Sequence, residues 1–273
     1  MLLGSMALAT LIAVGLAFLD LGIPAADFEL TDAMVWMRSR ALVLAALQWT
    51  VFIPTAVFVG PRLGYTPADL GLTRRPSDVR TAATGVVFGA AMLLTPALLG
   101  RVTGGFTQDQ AFFSVAGWLT ALALLALLAF GEEVLFRGIL MHLARHRLGD
   151  RGALALTTLL FAALHGGNPG ASPAGAFGVL LAGLLLGLAA LRTGGLVLPT
   201  AIHLGWNAAA GLGVGLPVSG LGLPSLSRFV VTPGTERLYG GAFGPEEGLV
   251  FHVALMVGIV TVARWGTERP RAA

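Results

Sequence analysis

The sequence predicts an all-α fold: a polytopic membrane bundle of about eight transmembrane helices with both termini in the cytoplasm. Three observations predict it. Of 273 residues, 56% are hydrophobic and only 11% are charged, with a mean hydropathy of +0.83; a soluble domain carries about 25% charge to cover its surface. The apolar residues fall into runs close to the roughly 20 residues that a helix needs to cross a hydrocarbon core about 30 Å thick. The basic residues gather in the short connections between those runs. Such a composition excludes an ordinary water-soluble enzyme and a disordered chain.

The runs lie at 2–19, 41–60, 82–100, 112–130, 153–165, 174–191, 196–212 and 249–263. The first resembles a signal sequence followed by Pro24-Ala25-Ala26, but it has no basic n-region, so it reads as an uncleaved span. The fourth continues as a helix to about Leu148, because 133–148 has no Gly–Pro punctuation. The fifth and seventh are short and hold His165 and His203, which suits segments that begin or end inside the protein. Eight spans put both termini on one side, and arginine decides which. All 17 basic residues are Arg. Arg62, Arg74, Arg75, Arg80, Arg145, Arg147, Arg151, Arg192, Arg264, Arg269 and Arg271 share one face, against Arg38, Arg40, Arg101, Arg228 and Arg237 on the other: 11 to 5, with Arg137 set aside. The positive-inside rule then places the termini in the cytoplasm and makes the protein a multi-pass integral protein of the plasma membrane.

The pI near 10.5 comes with a net charge of only +3 and no arginine block interleaved with aromatics, so nucleic acid is not a partner. With no Cys there is no disulfide, thiolate nucleophile or Cys-based zinc site. No internal repeat divides the chain, so 1–273 is one membrane domain, with its polar core at about 112–212. Gly85-xxx-Gly89 and Gly183-xxx-Gly187 fit close helix packing, a spacing that chance also produces in a chain with 38 Gly. The stretch 211–222, with Pro217 and Pro224, reads as a loop.

Polar groups inside apolar runs carry the functional argument, since an ionisable side chain deep in a bilayer costs roughly 2.5–3.5 kcal/mol. In Gly131-Glu132-Glu133-Val134-Leu135-Phe136-Arg137, Glu133 and Arg137 are four apart and share a helical face. They can pair, which leaves Glu132, about 100° around the helix, free for chemistry. Phe161 and His165 share a face just before the helix-stopping Gly166-Gly167-Asn168-Pro169-Gly170. His203 and Asn207 also share a face. Each cluster alone has a plain structural reading: a helix end at the interface, a satisfied histidine, an interhelical clasp. Three of them on three spans are better explained by one shared polar cavity. His142 and His146 read instead as a solvated face, and His252 as an interfacial residue at the start of the last span.

A carboxylate, two imidazoles and an amide can activate water and hold a tetrahedral oxyanion. The reaction class that fits is hydrolysis of a carbonyl substrate, a peptide bond above all. Other intramembrane protease designs fit poorly. No His-Glu-x-x-His zinc motif is present. Ser219 lacks the Gly-x-Ser-Gly loop of rhomboid-type enzymes, and Arg147 stands where Gly-x-Gly-Asp of presenilin-type enzymes needs glycine before Gly149-Asp150. A divalent metal on Glu132, His165 and His203 stays open on residue type.

Glu132-Glu133-x-x-x-Arg137, Phe161-x-x-x-His165 and His203-x-x-x-Asn207, in that order, resemble the CPBP family of CAAX prenyl proteases of type II and their bacteriocin-processing and Abi-like, immunity-linked relatives. The resemblance covers roughly 112–212. It implies an α-helical intramembrane glutamic endopeptidase acting on a membrane-associated peptide or protein, and with it a mechanism without a metal cofactor is favoured. It also implies roles: Glu132 and His165 activate water, His203 and Asn207 form the oxyanion site, and Glu133, Arg137 and Phe161 support them. Two readings from other classes stand beside it. A proton-coupled transporter would show inverted repeats with broken helices in both halves, and none is seen. A non-catalytic immunity-type protein would keep its biological effect without hydrolysis.

Overall fold

The computed structural model describes residues 64–111 and 113–264. The runs at 2–19 and 41–60 lie outside the described residues, and so do the eight-span count and the side of the termini. The other six runs are helical. They form α1 (Asp78–Val102), α2 (Val115–Glu133), α3 (Met141–His165), α4 (Pro173–Thr193), α5 (Val197–Asn207) and, after the short α6 (Glu236–Tyr239), α7 (Leu249–Ala263).

Local chemistry sets the boundaries. Ser114 caps α2 by accepting from the Gly117 N–H, and Ser172 caps α4 by accepting from the Gly175 N–H, with Pro173 as its first helical residue. Gly194, at φ 62°, ends α4 in the left-handed conformation. The predicted continuation of the fourth span to Leu148 is present, though by an unpredicted route. After Glu133 the chain passes through a π-helical stretch, Val134–Leu140, and runs on in α3 until Gly149, at φ 64°, breaks the helix. A second π-helical stretch, Ala208–Val214, prolongs α5. The wide π turn is often found at functional sites, and here each one directly follows a polar motif.

Three helical segments among the described residues are long and apolar enough to cross a membrane: α1, the path from Val115 to His165, and α4; α7 is a shorter apolar helix. Val87, Leu98 and Leu99 of α1 and Val253 and Val257 of α7 turn outward, as lipid-facing surface does. α4 sits at the centre, packed on α3 and α7, while α1 lies closest to α5. Leu93, Leu185, Leu198, Ile202, Phe251 and Leu255 knit α1, α4, α5 and α7 into one core.

The all-α expectation needs one correction. β1 (Phe106–Asp109) and β2 (Arg228–Val231) pair antiparallel, with Phe106 opposite Val231 and Asp109 opposite Arg228. Four residues are too few for a strand period to show in sequence. Aromatic packing holds the ribbon down: the Phe106 ring lies 5.7 Å from that of Phe229 and 4.9 Å from that of Tyr239, centre to centre.

Candidate active site

Glu133 ends α2 wholly buried, and the π-helical stretch after it brings Arg137 onto the same side. Arg137 Nη1 donates to Glu133 Oε1 at 3.0 Å, the pairing that the spacing predicts. Nη2 donates to the Gly183 carbonyl of α4 at 3.0 Å. The guanidinium carbon lies 4.5 Å from the centre of the Phe161 ring, so Phe161 serves as a cation–π platform for Arg137. These contacts tie α2, α3 and α4 together through one buried cation.

Glu133 does more than pair with Arg137. Its Oε1 also accepts from His203 Nδ1 at 3.0 Å, across 70 residues of chain. A carboxylate on Nδ1 fixes the ring and leaves Nε2 as the working nitrogen of His203. That Nε2 lies 3.8 Å from Glu132 Oε2. Glu132 Oε2 is itself buried and makes no hydrogen bond among the described residues. Of the two adjacent glutamates, Glu133 is tied by two hydrogen bonds through Oε1, and Glu132 is held only by its charge contact with His203.

His165 closes α3. Its Nδ1 donates to the Phe161 carbonyl at 2.8 Å, which leaves the Nε2 lone pair free to accept. The His165 and Phe161 rings are 4.5 Å apart, so both residues of the second motif are locked against each other. Asn207 follows His203 by one turn of α5. Phe161, His165, His203 and Asn207 line a single cavity of about 40 Å³, room for roughly three waters.

Glu132, His165 and His203 were candidate metal ligands on residue type. A zinc ion would hold its ligand atoms at about 2 Å, which draws them to about 3–3.5 Å of one another. No three His, Asp or Glu groups converge in this way among the described residues. No step below is routed through a metal.

The structure departs from the sequence reading at His252. It was expected at the interface, yet it is buried at 6% exposure, and its Nε2 donates to the Glu246 carbonyl at 2.7 Å. The turn Pro245–Glu247 folds back onto α4, and Phe251 and His252 in the first turn of α7 are buried. Sequence reasoning passed over Glu246 and weighed Ser219 only as a rhomboid-type nucleophile, yet both line the same cavity as the motif residues. A signal was available: Glu246-Glu247 precedes an apolar run much as Glu132-Glu133 follows one. His142 and His146 stay toward the surface, as predicted, with Nε2 atoms 3.3 Å apart.

Residues 114–209, about a third of the chain, match the family model described as Rce1-like, type II CAAX prenyl endopeptidase. No curated protein matches the chain, and no solved structure does. The matched segment holds Glu132, Glu133, Arg137, Phe161, His165, His203 and Asn207, so over this third of its length the chain is similar to type II CAAX prenyl endopeptidases.

Proposed function

We propose that the protein is an intramembrane endopeptidase of the glutamic type, which hydrolyses a peptide bond in a membrane-associated peptide or protein. One observation carries the reading. Glu133 is held through Oε1 by both Arg137 and His203, while Glu132 keeps partial exposure and sets its Oε2 3.8 Å from His203 Nε2 with no hydrogen bond. A carboxylate that a histidine flanks and no hydrogen bond ties down is placed to exchange a proton.

In this reading Glu132 takes a proton from water as the water oxygen attacks the carbonyl carbon, and His165 Nε2 orients that water. Asn207 Nδ2 and, once its ring carries a second proton, His203 Nε2 donate to the oxyanion. Glu133 orients His203, and Arg137 holds Glu133, so both act through other residues. The reaction needs no metal. Chelation with verified removal of bound ions should leave the rate unchanged. The same proposal includes eight spans, cytoplasmic termini and residence in the plasma membrane.

The direct test is purified protein against a peptide library. Glu132→Ala should lose about 10³–10⁴-fold in kcat and His165→Ala a comparable amount. Asn207→Ala, which removes one oxyanion donor, should lose about 10²-fold. Equal cleavage by wild type, Glu132→Ala and His165→Ala would sink the assignment. Proteoliposome ion flux abolished by Glu132→Gln would point to a transporter instead. Full biological protection by hydrolysis-dead variants would point to a non-catalytic role.

A further inference from the structure

Outside the segment that matches the family, the turn before α7 carries a second Glu-Glu pair, and its two members differ as sharply as Glu132 and Glu133 do. Glu247 is saturated: it accepts from Ser172 Oγ and from the backbone N–H groups of Gly241 at 3.0 Å and Phe243 at 3.1 Å. It staples the turn to the start of α4. Glu246 is 4% exposed. Its Oε1 accepts from Ser219 Oγ at 3.3 Å, and its Oε2 is buried without a hydrogen bond of ordinary geometry, beside the Trp206 indole. The carboxyl faces the cavity that His165, His203 and Asn207 line.

Three features build this position. The His252 N–H fixes the Glu246 carbonyl. Gly178 of α4 leaves room for that carbonyl, onto which any Cβ at 178 would fall. Ser219 takes φ 45°, the one positive φ of a non-glycine residue among those described. Such backbone is strained and clusters at functional sites.

We propose that Glu246, on the wall of this cavity, is a second catalytic carboxyl beside Glu132, which adjoins the cavity through His203: a general acid, held by Ser219, that gives its proton to the departing amine nitrogen. The proposal rests on the endopeptidase reading. In the first step the water oxygen bonds to the carbonyl carbon, the C=O electron pair moves to oxygen, and Glu132 takes the proton released by the water. In the second, that pair re-forms C=O, the C–N bond breaks, and nitrogen takes the proton of Glu246. A proton then passes from Glu132 to Glu246 through cavity water, which restores both groups. The sum is one peptide bond and one water converted to one acid and one amine.

The charge state suits the role. Burial pushes the Glu246 carboxyl up to about 7 from an ordinary value of 4.5, so much of it is protonated at neutral pH. The titratable groups that share its cavity are His165 from α3 and His203 from α5, while His252 from α7 holds its backbone carbonyl. α1 faces the cavity with Met92. α4 carries one charged side chain, Arg192, bonded at its far end to the Ala263 carbonyl, and Glu236 and Arg237 of α6 are exposed.

The test uses the full chain, a peptide that the wild type cleaves and a depsipeptide with an ester at the scissile position. An alkoxide leaves without full protonation and an amine does not. Glu246→Gln should therefore lose about 10²–10³-fold in kcat on the peptide and less than about 10-fold on the ester. In wild type, kcat on the peptide should fall as pH rises through about 7; in Glu246→Gln that alkaline limb should vanish. Equal losses on both substrates, or no loss on either, would overturn the proposal. If Glu246→Gln fails to fold, Ser219→Ala keeps the carboxyl and should show the same peptide-selective loss at about 10-fold. An unselective Ser219→Ala would then overturn it. Glu132→Ala should lose both substrates; retention of both would fail the endopeptidase reading rather than this one.

Discussion

Replacing Arg137 with methionine should lower the stability of the protein by about 3–5 kcal/mol, because it strands the Glu133 carboxylate in the interior. Glu133 has no exposure, and its Oε1 receives Arg137 at 3.0 Å. The guanidinium also satisfies the Gly183 carbonyl and covers the Phe161 ring. Three elements therefore loosen at once: α2, α3 and α4. Thermal unfolding in detergent should show the midpoint falling by roughly 10 °C. The double variant Glu133→Gln, Arg137→Met removes both charges and should regain most of that loss, since a buried pair replaced as a unit is often near neutral. It should remain inactive, because His203 Nδ1 would lose the carboxylate that orients the ring. Arg137→Lys should not rescue. An ammonium is a point charge that cannot span Glu133 and the Gly183 carbonyl while stacking on Phe161. A single Arg137→Met variant as stable as wild type would show that the pair does not hold the site together.

The Glu133–Arg137 pair illustrates what the sequence makes legible and what it hides. Four-residue spacing implies the contact, and the contact is present, though it spans the start of a π-helical stretch that no periodicity reveals. The six apolar runs within the described residues were readable for a simple reason: a helix in lipid must satisfy its backbone internally and show apolar side chains outward. Contacts between helices were not readable. That Glu133 serves His203 as well as Arg137 depends on how α5 meets α2, 70 residues apart. His252 looked interfacial because it begins a run, but burial there is decided by a turn folding back from outside the helix. Glu246 escaped notice for the same reason. Its partners, Ser219 and the shared cavity, come from distant parts of the chain. Glycine spacing carried the least information. Gly85-xxx-Gly89 and Gly183-xxx-Gly187 look alike in sequence, and the structure separates them.

That separation yields the second large effect, expected at Gly89. A Cβ at Gly85 would stand 2.6 Å from the Ala201 Cβ, and one at Gly89 would fall on the Ile202 carbonyl oxygen. The contact is reciprocal, since a Cβ at Gly205 would fall on the Val86 carbonyl oxygen. The backbones of α1 and α5 thus touch, and no side-chain rotation can relieve an added methyl. Gly89→Ala must push the helices apart at a cost of about 1–3 kcal/mol or more. It must also shift Ile202 and its neighbour His203 relative to the cavity wall that Met92 forms. A displacement near 1 Å at a reacting centre costs about 10²-fold in rate, so kcat should fall by that order even where the fold survives. Gly183 supplies the control. A Cβ there meets Phe161 and Thr158 at 3.4 Å, ordinary van der Waals contact, and the carbonyl that receives Arg137 is untouched. Gly183→Ala should keep its activity and gain helix stability of up to about 1 kcal/mol. Unfolding midpoints and kcat of the two variants, measured side by side, decide the matter. If Gly89→Ala behaves like Gly183→Ala, the close approach of α1 and α5 does not set the position of His203.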